Sequence, residues 1–95
     1  MDFAGFNWDD GNRTKCEKHG VAAATIEGLF ERPVLILPDA IHSVAERRFK
    51  AIGKAEDGRL VFVVFTLRRG GLIRPISARY MHKKEADHYG RHSKT

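Results

Sequence analysis

The feature that most constrains this chain is the run from Leu60 to Leu67, LVFVVFTL, an almost unbroken stretch of β-branched and aromatic residues. It is too short for a helix of ordinary length, so it reads as a central strand buried on both sides. Arg68, Arg69, Gly70 and Gly71 follow, and paired glycines accept the positive φ angles of a tight hairpin turn. A second strand, Leu72 to Tyr80, returns. With Gly70 and Gly71 as a two-residue turn, Leu67 lies opposite Arg74, Phe65 opposite Ile76, Val64 opposite Ser77, Val63 opposite Ala78 and Phe62 opposite Arg79. Alternation across the strands then separates an oily face of Val61, Val63, Phe65, Ile76 and Ala78 from a mixed face of Val64, Thr66, Ser77 and Arg79. The oily face calls for helices packed on it, and the mixed face is suited to an anionic ligand.

The flanking segments fit around that hairpin. Phe3, Phe6 and Trp8 anchor the N-terminal stretch to the body. Asp9 or Asp10 caps a helix that runs to His19 and stops at Gly20, which leaves Lys18 and His19 in its last turn. Ala22 to Arg32 forms a second helix, with Ile26, Leu29 and Phe30 on one stripe. Pro33 ends it, Val34 to Leu37 forms a short strand, and Ala40 to Val44 forms a loop. Glu46 to Gly53 alternates charge and bulk like a half-exposed strand. Pairing Gly53 with Arg59 sets Glu46 against Thr66, Arg48 against Val64 and Lys50 against Phe62, all on the mixed face, with Phe49 and Ala51 on the oily one. Pro75 removes a ladder hydrogen bond and marks an edge or a bulge. A short terminal helix starts near Met81 and frays after about residue 90. The expected fold is therefore α+β: two N-terminal helices, a four-stranded antiparallel meander and a short C-terminal helix, in one domain over residues 1–95.

Charge narrows the function classes. Lys and Arg total 17 against 12 Asp and Glu, a net charge of +5, which favours a polyanion or an acidic protein as partner. The longest apolar run falls well short of the ~20 residues of a membrane span, and the acidic start MDFAGFNWDD lacks an export segment, so a cytoplasmic protein without a membrane partner is expected. Cys16 has no second cysteine to pair with and reads as a plain helix residue. His88 and His92 share a helical spacing that suits metal chelation, but Gly90 between them and the lack of a third ligand argue against a metal site.

Taken together, Trp8-Asp9, Lys18-His19-Gly20-Val21, Glu46 with Arg48, Ile52-Gly53, Gly58-Arg59, Ile76-Ser77-Ala78-Arg79, Glu85 and Tyr89 resemble the BrnT family of bacterial toxins in order and spacing. The resemblance covers the chain to about Tyr89. It implies a RelE- and ParE-like fold and a ribonuclease that blocks translation by cutting RNA. It also implies neutralisation by a BrnA-like antitoxin, whose ribbon-helix-helix part binds operator DNA, so that the toxin meets that DNA only through the antitoxin. The family's patterned polar positions carry over to Lys18, His19, Glu46, Arg48, Ser77 and Arg79. The chain departs from the family at Lys15, where many relatives have Asn, and at Pro75, where an apolar residue is more usual.

Metal-independent RNA cleavage needs a group that activates the 2′-hydroxyl, positive charge for the phosphorane and a proton for the leaving 5′-oxygen. Arg48 and Arg79 suit the charge, because a guanidinium grips phosphate through two parallel N–H groups. His19, then Glu46, suit proton transfer. Lys18, Lys50, Arg74, Ser77, Lys83 and Lys84 are the expected RNA-binding positions, and no cofactor is called for. Plainer roles compete: Glu46 with Arg48 as a cross-strand ion pair, and Arg79 tied to the C-terminal helix through Glu85. Two other functions also fit: a ParE-like toxin that poisons DNA gyrase, and a basic RNA-binding module. The module reading lacks the paired surface aromatics that stack single-stranded bases.

Overall fold

In the computed structural model of the protein, residues 3–41 and 45–93 are described. The element order is β1 (Gly5–Phe6), α1 (Asp10–Glu17), α2 (Ala23–Phe30), β2 (Leu35–Pro38), β3 (Arg48–Lys54), β4 (Leu60–Arg68), β5 (Leu72–Tyr80) and α3 (Lys83–Ser93). The strands form a five-stranded mixed sheet in the order β1-β5-β4-β3-β2. The α+β class holds, but the expected four-stranded antiparallel meander is corrected by β1. It precedes the helices and pairs parallel with β5, Gly5 beside Leu72 and Phe6 beside Ile73. Of the loop expected at 40–44, residues 42–44 lie outside the described part.

The central hairpin forms as the apolar run requires, with one change of register. Phe62, Val63 and Val64 pair with Arg79, Ala78 and Ser77 as expected, but Phe65 pairs with Pro75, Thr66 with Arg74 and Leu67 with Ile73. Ile76 is the extra residue of a bulge. The cause is Pro75, which has no N–H to give the ladder, so the strand kinks there and the loop lengthens to Arg69, Gly70 and Gly71. Both glycines take positive φ, +86° and +78°. The bulge moves Ile76 off the oily face, and Ile73 and Pro75 are buried in its place. Between β3 and β4 the register differs by two residues from expectation, with Arg48 opposite Thr66 and Gly53 opposite Val61. A slip of two keeps every side chain on its face, whereas a slip of one reverses them.

The oily face is the core side. Cys16 from α1 and Ile26, Leu29 and Phe30 from α2 pack with Ala51, Val61, Val63, Phe65, Ile73 and Ala78. Phe3 and Phe6 meet Phe30 edge-on, Phe30 meets Phe65 edge-on and Phe49 stacks on Phe65, so aromatic contacts link the N-terminal stretch to the sheet centre. Trp8 joins that stretch to α2, its indole N–H donating to Glu27 Oε2 at 2.9 Å. Gly53 stays a glycine for want of room, since a Cβ there would stand 3.2 Å from Leu29 Cδ2 and 3.3 Å from Val34 Cγ2.

Candidate nucleic-acid cleft

Asp9 caps α1 in a reciprocal arrangement: the Asn12 backbone N–H donates to Asp9 Oδ1 at 2.9 Å, and the Asp9 N–H donates to Asn12 Oδ1 at 2.7 Å. Buried Asn12 also points its amide at the sheet, where Nδ2 donates to the Pro75 carbonyl at 2.8 Å and the Asn7 carbonyl at 3.0 Å. One side chain thus fixes the start of α1 against the kinked part of β5. Alongside, Arg74 donates to Asn7 Oδ1 at 2.6 Å and pairs with Asp9 Oδ2 at 2.8 Å. The backbone N–H of Asn12, and then the Arg74 guanidinium, hold the Asp9 carboxyl below its ordinary value.

Between α1 and the sheet lies a cleft of about 470 Å³ lined by Asp9, Gly11, Asn12, Lys15, Glu46, Arg48, Arg68, Arg74 and Ile76. Each element brings one part: α1 presents Gly11, Asn12 and Lys15 on adjoining turns, the bulge presents Arg74 and Ile76, and the ends of β3 and β4 present Arg48 and Arg68. Glu46, just ahead of β3, is held by Arg68 at 2.7 Å and stands 3.9 Å from Arg48. Lys15, Arg48, Arg68 and Arg74 outnumber the two carboxylates of Asp9 and Glu46, so the cleft suits an anion. A second cavity of about 340 Å³, between α2 and the β3–β4 turn, holds Arg32 with Glu56 and Asp57 and repels one.

The expected site residues divide between locations. Glu46, Arg48 and Arg74 meet in the cleft. Lys15 and Arg68 join them unforeseen, although the helical spacing of Gly11, Asn12 and Lys15 and the paired arginines before Gly70 were visible signals. Arg79 lies on the same face of the sheet as Arg48, but four residues further along β4 in register, about 13 Å by strand rise. There it forks onto Glu85 of α3 at 2.7 and 2.9 Å and lies 5.0 Å from the Phe62 ring centroid. The hydrogen bonds from Arg79 draw the Glu85 carboxyl down to about 2, and Glu85 in turn raises Arg79. Lys18 and His19 are exposed past the C-terminal end of α1. Lys50 is half-buried opposite Val64, and Ser77 flanks Val64 from β5. Lys83 and Lys84 are exposed in the first turn of α3. Cys16 is fully buried, which pushes its thiol up to about 11.

Among the described residues no group of three or more His, Cys, Asp or Glu side chains converges, and no helix is long and apolar enough to cross a membrane. No curated protein matches the chain. The family model for BrnT, the ribonuclease toxin of type II toxin-antitoxin systems, matches residues 8–85, a span that includes every residue lining the cleft.

Proposed function

The chain belongs to the BrnT family of ribonuclease toxins, and from that premise we propose that it cuts RNA in the cleft between α1 and the sheet and so blocks translation. The observation that carries this reading is the gathering of four cations, Lys15, Arg48, Arg68 and Arg74, with the carboxylates of Glu46 and Asp9 in a cleft open to a polyanion. Glu46 takes the proton of the RNA 2′-hydroxyl, whose oxygen bonds to the adjacent phosphorus. Arg48 and Arg74 stabilise the added negative charge. As the bond to the 5′-oxygen breaks, that oxygen takes a proton from Lys15. The products are a 2′,3′-cyclic phosphate and a free 5′-hydroxyl.

Arg79, Lys50 and Ser77 on the same sheet face, and Lys18, His19, Lys83 and Lys84 beyond it, serve RNA flanking the scissile bond. A type II system supplies a protein antitoxin, and we assign that role to a BrnA-like ribbon-helix-helix protein, which also carries the operator-DNA contact. The test is cleavage of an end-labelled transcript. Glu46→Gln lowers kcat by about 10²- to 10⁴-fold with KM little changed, and the melting temperature stays close to the parent because exposed ion pairs contribute only ~0–1 kcal/mol. A variant that cuts at the parental rate, or RNA left intact while DNA supercoiling by gyrase is inhibited, rejects the reading.

A further inference from the structure

The outer edge of the sheet, at β2, gathers exposed apolar side chains: Leu35 is 40%, Leu37 41% and the following Ile41 81% exposed. The strand pairs with β3 on one side, and no described strand lies beyond it. Its backbone orientation follows from the Asp39 N–H, which donates to the Arg48 carbonyl at 2.9 Å. Alternation then turns the Leu35 and Leu37 N–H groups toward β3 and leaves the N–H and carbonyl of Ile36 facing outward. Pro38 adds an outward carbonyl and no donor.

The chemistry next to this edge selects an occupant. Leu35 and Leu37 stand opposite Ile52 and Lys50. From Arg47 to the end of β3 the chain carries Arg47, Arg48, Lys50 and Lys54 with no carboxylate. A chain laid along β2 thus finds outward backbone groups, apolar contacts at alternate positions and a cationic background. A second copy of this chain would set the same cations against themselves.

We propose that the free edge of β2 binds an extended acidic and apolar segment of the protein antitoxin, added as a sixth strand. The identity of the partner rests on the toxin reading above; the chemistry of the edge does not. The full chain is titrated with a synthetic peptide of alternating glutamate and valine, and with its lysine-for-glutamate counterpart, while backbone amide shifts are followed by NMR. The glutamate peptide shifts residues 34–37, the lysine peptide does not, and Leu35→Ser/Leu37→Ser weakens binding about tenfold or more at an unchanged melting temperature. Shifts centred on the cleft, equal binding of both peptides, undiminished binding by the double variant, or a dimer of the chain that the variant abolishes each overturn the proposal. RNA cleavage by the double variant stays at the parental rate, since neither leucine lines the cleft. Loss of the ribonuclease reading would show as a parent that cuts no RNA, with the peptide result standing apart.

Discussion

Asn12 joins more of this molecule than any other single side chain described above. It completes the cap of α1, accepts from Asp9 and donates to carbonyls of the N-terminal stretch and of β5. Asn12→Ala removes these bonds and leaves the buried Pro75 carbonyl without that donor, a loss of about 2 kcal/mol. For a domain of this size that is a fall of roughly 10 °C in melting temperature, measurable by calorimetry. Asn12→Asp keeps the shape and one acceptor but loses both side-chain donations, so it fares no better than alanine. Residue chemistry of this kind was half visible in the sequence. Asp9 announced itself as a cap, but nothing local in Asn12 says that its amide reaches a carbonyl far along the chain. Arg79 was legible as either a phosphate grip or a partner of Glu85, and geometry places it on Glu85.

At the scale of elements, the hairpin loop and α3 carry the sharpest expectations. Gly71 has φ +78°, and a Cβ there would meet nothing closer than 3.7 Å, so Gly71→Ala meets a backbone penalty and no clash. The cost is about 1–2 kcal/mol, seen as an earlier urea midpoint with an unchanged slope. The Arg79–Glu85 fork makes the seating of α3 depend on acidity. Glu85 is depressed from 4.5 to about 2 by Arg79 and by the His82 backbone N–H, so its contribution is complete above pH 4.5 and is lost as pH falls toward 2. Protection of the α3 amides relative to their intrinsic exchange rates therefore falls over that interval, and Glu85→Gln removes this change in protection. Element positions were readable because apolar alternation survives a two-residue register slip. β1 was not, being too short to show a pattern; at Pro75 an edge or a bulge was legible, but which of the two, and that Ile76 is the extra residue, is fixed only when the strand meets its pairing partners.

Over the whole molecule the net charge of +5 favours a polyanion such as the RNA proposed above. If four cleft cations each displace a counterion, the logarithm of RNA affinity falls against the logarithm of salt with a slope of roughly −3, and Arg48→Ala flattens it by about 0.7. Filter binding across a salt series reads both values, and a slope near zero would mean that the cations stay with their carboxylates. The assembly of the cleft was the least legible part of the sequence, because its walls come from stretches far apart in the chain. That separation has a consequence for synthesis. A ribosome releases the chain in order, and α1 meets its main support, the kinked part of β5, only after Pro75 has left the exit tunnel. The groove therefore takes shape only once β5 has emerged, so a nascent chain halted before Pro75 lacks it.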